Sequence, residues 1–337
     1  MEPKLLRHRT FIVLIFSLIV AIVAYFLAGK IPLTFRSLRP FSALASVSTL
    51  ALFAKFPSHS TKTMSTKAPV YFVSHGGPNT MFDTKHPVYP VLQQIGQEIT
   101  QKVKPKAIVV FSAHWEAGPR NIQVNSAEKT DLIFDYYGFP PEYYKVEYPH
   151  KGSPELASKI IGLLKKAGIE AEGVKRGLDH GVFVGFSVAF NPDKNPLNIP
   201  IVQVSQYNSP DVDQHYRLGE AVAALRDENI VIIGAGMSVH NLRDMRFVFN
   251  SPRPLPYVAS FDNALKPAME APPAERQARM AEVAKRPDAR QAHPHFDHLM
   301  PAYIAAGAAG EDVGKQLWTL HESSMAWAMY RFGDVPA

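Results

Sequence analysis

Cysteine is absent from all 337 residues, and that absence removes several function classes at once. No disulfide framework, thiolate nucleophile or cysteine-based zinc site can exist. Asn-x-Ser/Thr sequons are also missing, which together with the lack of cysteine argues against a secreted body. There is no G-x-S-x-G and no P-loop, so serine-hydrolase and NTPase readings have no support. The nearest approach to a dinucleotide fingerprint is "GAGMSV" at 234–239. Val239 stands where the third glycine belongs and "HN" follows where a helix should open, so this is no dinucleotide site.

Acidic residues are scarce in one region only. The first 67 residues hold nine lysines and arginines against the single acid Glu2, leaving 27 of the chain's 36 basic and 29 of its 30 acidic residues beyond them. The formal charge of +6 therefore belongs to the leader, and the body is close to neutral. The body has no basic stripe with interleaved aromatics, so no nucleic-acid partner is expected. Within the leader, 11–29 is apolar and uncharged, long enough to be a candidate transmembrane segment and membrane anchor. Basic residues flank it on both sides, so the positive-inside rule assigns no orientation. A signal peptide, a transit peptide drawing on the Ser-rich, acid-free stretch 31–67, and an extension ahead of a start at Met64 are the competing readings. The expected division is a leader over 1–67 and one globular body over 68–337. The body is expected to be cytoplasmic, with anchoring or organelle targeting left to the leader.

What is present in the body is ordinary globular composition, 46% hydrophobic and 20% charged across the chain. Short apolar runs, "PVYFV" (69–73), "AIVVFS" (107–112), "IPIVQVS" (199–205) and "NIVIIG" (229–234), read as buried strands. Helical patterns lie between and after them, around 88–103, 212–226, 257–270, 274–285 and 296–309. The clearest is Pro154–Ala167, with Ser153 as N-cap, Pro154 at the first position, Glu155 in the first turn and Gly168 beyond the end. Alternation of this kind predicts an α/β domain with a largely parallel or mixed sheet flanked by helices.

Four histidines share one placement, at or just past the end of a strand: His75 in "VYFVSHGGP", His114 in "VVFSAHWE", His180 in "RGLDHGVF" and His240 in "GMSVHN". Open α/β sheets bind ligands at the carboxyl ends of their strands. One histidine there is most simply a half-buried ring bonded to nearby backbone; four arriving from distant parts of the chain point to a site. A fifth element, "AHPHFDHLMP", sets His293, His295, Asp297 and His298 at the expected start of a helix, with His295 and His298 sharing a face. Neutral imidazoles suit Zn(II) or Fe(II), and a carboxylate or a further histidine can complete the set.

Taken in order, "SHGGP", "VVFSAHWE", "FDYYGFPPEYY", "YPHKGSPELA", "RGLDHGVF", "GMSVHNLRD" and "HPHFDHLMP" resemble the class III extradiol ring-cleavage dioxygenases, in the branch of the DOPA-4,5-dioxygenase-like enzymes. The resemblance runs from about 69 to 330 and makes 68–337 the expected catalytic domain. It implies a single divalent metal, with His75 and His114 as the first two ligands and His298 as a later one. His240 falls on a histidine that is either a ligand or an acid–base group, and His180 on an acid–base histidine of the pocket. Asp297 departs from the pattern, standing where the family usually has Glu, and "FDYYGFP" (134–140) falls on a substrate-facing loop. The expected reaction is insertion of O2 into a catecholic aromatic such as DOPA on Fe(II). Relatives with Zn(II) leave two alternatives, a zinc hydrolase and a non-catalytic metal-binding relative. In the dioxygenase reading, a neutral histidine removes the second catechol proton and later returns one; His180 is the first choice and His240 the second. Asp179 reads as structural.

Overall fold

The computed structural model describes residues 67–248, 251 and 253–336. The strands are β1 (Val70–Ser74), β2 (Ala107–Glu116), β3 (Asn121–Asn125), β4 (Leu132–Ile133), β5 (Glu170–Val174), β6 (Leu178–Asp179), β7 (Ile201–Gln206), β8 (Ile230–Gly236), β9 (Val239–His240), β10 (Gly314–Trp318), β11 (His321–Glu322), β12 (Met325–Ala326) and β13 (Met329–Phe332). The helices are α1 (Val88–Gln97), α2 (Pro154–Lys166), α3 (His180–Ala189), α4 (Val212–Val222), α5 (Leu242–Val248), α6 (Pro256–Met269), α7 (Pro273–Ala284), α8 (Ala289–Ala292) and α9 (Met300–Ala308).

The central sheet has eight strands in the order β10-β13-β1-β8-β2-β7-β3-β5. Its middle four, β1, β8, β2 and β7, are parallel throughout. They are the four apolar runs singled out from the sequence, and each is buried on both faces, which is why they read as continuous β-branched stretches. Antiparallel β13 and β10 extend one side, and β3, which meets β7 antiparallel, extends the other with β5. The sheet is thus mixed, and a single domain is built on it.

Alternate residues of β1 feed two cores. Val70 and Phe72 pack with the faces of α2, α4, α6, α7 and α9, whereas Tyr71 and Val73 pack with α1 and α3. Helix α2 follows its sequence signals: the Ser153 hydroxyl accepts from the Leu156 N–H at 3.1 Å, and Gly168 ends the helix at φ +77°. Helix α1 is shorter than expected. It passes into a wider turn over Glu98–Val103 and stops where Lys104 adopts φ +49°.

Two expectations are corrected. The helix expected from 296 begins only at Met300, so 293–299 is a turn and His295 and His298 do not share a helical face. Residues 11–29 lie outside the described residues, and the expectation of a transmembrane protein anchored in a membrane is withdrawn. Among the described residues no helix is long and apolar enough to cross a membrane.

Helix α9, buried at every position, lies directly on β8. The contact is at backbone distance: a Cβ added to Gly236 would meet the His298 carbonyl oxygen at 2.3 Å, and one at Gly234 would meet the Pro301 carbonyl oxygen at 2.2 Å. The Met237 N–H donates to the same His298 carbonyl at 2.9 Å, which fastens the 293–299 turn to the carboxyl end of β8. Gly236→Ala is expected to destabilise the fold by about 1–3 kcal/mol, because neither backbone can yield without moving a buried element. Urea unfolding measures it, and an unchanged midpoint would show that the contact is loose.

Candidate metal centre

Each strand end delivers its side chain by a local device. At the end of β1 the His75 N–H still donates to the Gly236 carbonyl, at 3.1 Å, and the chain then turns through Gly76 at φ +67°. A side chain at Gly76 would also run into the Trp327 ring, 2.3 Å from the added Cβ. Gly77 has extended geometry, so of the pair only Gly76 needs to be glycine for its backbone. In β2 the pairing with β7 shifts register between Phe111 and Glu116, an irregularity that re-aims the chain at His114. The Ser112 hydroxyl accepts the His114 N–H at 3.2 Å and donates to Asp179 at 2.7 Å. Asp179 is fully buried and also receives Arg176 at 2.8 Å and the Gln203 amide, so it is structural, as expected.

His180 is the first residue of α3, and His240 lies in β9, paired across from Met325. His298 sits in the turn before α9, where Asp297 accepts its backbone N–H at 2.7 Å and Gln206 donates to the Asp297 carbonyl at 2.9 Å. The Asp297 carboxylate is 3.0 Å from His298 Nδ1, but the two are not aligned as a hydrogen bond. His293 points elsewhere, with Nε2 on the Ser238 carbonyl at 2.8 Å, and the His295 side chain is 63% exposed.

The structure brings His75, His114 and His298 together so that one ring nitrogen of each lies within 4.8 Å of the others. His75 Nδ1–H donates to the Gly76 carbonyl at 2.7 Å, which leaves Nε2 with its lone pair; that atom is buried and has no partner among the described residues. His114 Nε2 and His298 Nε2 are 3.1 Å apart. Two nitrogens each about 2.1 Å from one ion and a right angle apart are themselves about 3 Å apart, so the spacing fits a shared divalent metal. His240 forms a second group with Asp297 and His298, its ring stacked on that of His298 with centroids 3.5 Å apart and planes 7° from parallel. His180 and His114 form a third group around Asp135.

Burial is the main force that keeps the rings of His75, His180, His240 and His298 neutral. It pushes His75 and His298 well below the usual histidine value, helped by the neighbouring imidazoles, and pushes His240 down to about 3. His180 is also lowered by burial, although Asp135 works against it. A cluster of neutral imidazoles is the protonation state a divalent ion requires.

Asp135 is the residue that sequence reasoning missed. Its Oδ1 accepts the His180 backbone N–H at 3.0 Å and lies 2.7 Å from His180 Nδ1, while Oδ2 lies 3.2 Å from His114 Nδ1. Burial raises this carboxyl, but the hydrogen bonds from His114 and His180 outweigh it and hold the group far below the carboxylate range. The available signal was the lone carboxylate inside the otherwise aromatic "FDYYGFP". Around it Phe134, Tyr136, Phe139 and Phe183 build an aromatic wall, with the Tyr136 ring edge-on to His180 at 5.4 Å.

A mixed α/β sheet with neutral histidines gathered at its strand ends defines a metal-dependent enzyme. Residues 63–332 match the family model described as the catalytic LigB subunit of aromatic ring-opening dioxygenase. The chain is 36% identical over 268 residues to a 4,5-DOPA dioxygenase extradiol of Beta vulgaris, covering 78% of this chain and 95% of that one. It is 33% identical to a 4,5-DOPA dioxygenase extradiol-like protein of Schizosaccharomyces pombe, covering 77% and 91%. An uncharacterized protein of Escherichia coli K12 has a crystal structure that superposes with a TM-score of 0.62 at 27% identity, covering 79% of this chain and all of that one. The chain belongs to the LigB family of class III extradiol dioxygenases and is an extradiol ring-cleavage dioxygenase.

The buried rings also set a pH dependence for the metal-free protein. The unfolded chain protonates its histidines near pH 6.5, whereas the folded rings of His75, His180, His240 and His298 resist protonation. Their contribution is complete above pH 6.5 and is lost as pH falls toward about 3, where His240 titrates. Glu116 and Asp297, raised by burial, run in the opposite sense but are outnumbered. Urea unfolding of metal-free protein should lose up to about 1.4 kcal/mol per pH unit for each such ring below pH 6.5. Equal stability at pH 7.5 and pH 5 would contradict this.

Proposed function

We propose that the chain opens a catecholic ring beside its hydroxyls, as 4,5-DOPA dioxygenases are named for doing, with Fe(II) as the working metal. The single observation that carries this reading is the unpartnered, buried Nε2 of His75 beside the close Nε2 pair of His114 and His298. These three would hold the ion through Nε2, with His240 joining from its stacked position behind His298. When bound, Fe(II) supplies the redox chemistry that Zn(II) lacks and a common point of attachment for the catechol oxygens and O2.

The remaining steps fall to the chain's own groups. His180 donates Nδ1–H to Asp135, so its Nε2 is a free base, and its ring lies 3.9 Å from that of His114 by centroid. It removes the second catechol proton and returns one as the ring opens; its lowered pKa keeps it in the accepting form at neutral pH. The wall of Phe134, Tyr136 and Phe139 stacks against the aromatic ring and keeps water from it. His240, neutral and pushed down to about 3, is better suited to a ligand than to a proton carrier at neutral pH. The catalytic domain is assigned to 68–337 and the leader to 1–67. The match over 63–332 and the position of β1 from Val70 support that division.

The test is to load the protein with Fe(II) under anaerobic conditions, add L-DOPA and admit O2. A yellow ring-opened product with one O2 consumed per substrate is expected. His180→Ala should keep its metal and lose about 10²–10⁴-fold in kcat, whereas His75→Ala and His114→Ala should lose the metal itself. Oxygen uptake equal to that of free Fe(II) across a panel of catechols would overturn the reading.

A further inference from the structure

We propose that Asp135 is a positioning residue that fixes the tautomers of a metal ligand, His114, and of the acid–base group, His180, at the same time. The catalytic half of this rests on the roles given above to His114 and His180; the tautomer assignment does not. Asp135 comes from the segment after β4, far in sequence from both rings, and its two oxygens are divided between them. An ionised carboxylate can only accept, so a ring nitrogen facing it must carry the proton. His180 Nδ1, hydrogen-bonded at 2.7 Å, is therefore N–H; His114 Nδ1 lies 3.2 Å from the other oxygen without hydrogen-bond alignment, but a lone pair there would face the carboxylate's own, so the charge favours N–H, and both lone pairs are left on Nε2. In His114 that lone pair faces the space shared with His298 and His75, and in His180 it is the one available to substrate. Among the described residues neither ring has a partner on Nε2 that would enforce this arrangement alone, because His114 Nε2 has only another imidazole nitrogen 3.1 Å away.

The geometry also says which ring fails when the carboxylate becomes an amide. Oδ1 accepts the His180 backbone N–H at 3.0 Å as well as the His180 ring. A backbone N–H has no tautomer to change. In Asp135→Asn the amide oxygen must therefore stay on the His180 side, and the NH2 group turns to His114 Nδ1. A donor there forces His114 to accept at Nδ1 and to carry its proton on Nε2, the position the metal needs. The near-isosteric variant thus imposes the wrong tautomer, while Asp135→Ala leaves both rings free to choose. A purely structural hydrogen bond predicts the reverse ranking, with Asn tolerated better than Ala.

Two measurements on the metal-free protein test this, and neither reads turnover, so they stand apart from whether the chain cleaves catechols. Long-range 1H–15N correlation of the histidine rings should show Nδ1–H on His114 and His180 in the unmodified protein, and Nε2–H on His114 in D135N. Zn(II) affinity from chelator competition should fall about 10–100-fold in D135N, the usual cost of losing a group that orients a ligand, and less in D135A. Nε2–H on His180 or His114 in the unmodified protein overturns the proposal before any variant is made. Retention of Nδ1–H on His114 in D135N, Zn(II) affinity within about twofold of the unmodified protein, or a larger loss in D135A than in D135N overturns it as well.

Discussion

Two imidazole nitrogens 3.1 Å apart, His114 Nε2 and His298 Nε2, cannot both carry protons, and most of the centre is arranged around that fact. At most one of the two can carry a proton and donate it to the other, and the remaining ring protons are placed by neighbours on the far side. Asp135 does so for His114, the Gly76 carbonyl does so for His75, and the Asp297 carboxylate lies beside Nδ1 of His298. Burial removes water as an alternative partner and makes protonation of the cluster costly. The result is a cluster of ring nitrogens aimed inward, with His75 Nε2 unpartnered among the described residues and the Nε2 atoms of His114 and His298 facing each other. Such an arrangement is unfavourable by itself and becomes favourable when a cation is shared among them, so the energetic logic of the fold and that of the metal coincide.

The scaffold spends its rigid elements on holding this geometry. Parallel β1, β8 and β2 bring His75 and His114 to one edge of the sheet, and the backbone contact of Gly236 with His298 seats the third ring on the same edge. The network of Ser112, Asp179, Arg176 and Gln203 lies behind His114 and fixes the strand irregularity that carries it. The stacked ring of His240 limits the plane in which His298 can lie.

How much of this was legible in the sequence follows from chain distance. The four central strands could be read directly, because strands buried on both faces are apolar at every position. Outer strands such as β5, "EAEGV", mix exposed polar residues with glycine and carry no such signal. His75, His114, His180 and His240 stood out by position at strand ends, and His298 by the motif around it. Residues 296–299 read as the start of a helix, whereas the His298 carbonyl is taken by the Met237 N–H at the end of β8 and the helix begins only at Met300. Asp135 was hidden for a different reason. A carboxylate that serves two rings is recognised by its two partners, and these lie in β2 and at the start of α3, on either side of it in the chain.

The segment that carries Asp135 also carries the aromatic wall. Tyr136 is the next residue, and its hydroxyl donates to the Tyr143 carbonyl at 2.6 Å, closing the segment on itself. Packing of an aromatic ring against this wall and alignment of the two imidazoles are therefore not separate events. A guest seated on the wall would bear on the carboxylate through the neighbouring Tyr136, and so on the alignment of both rings.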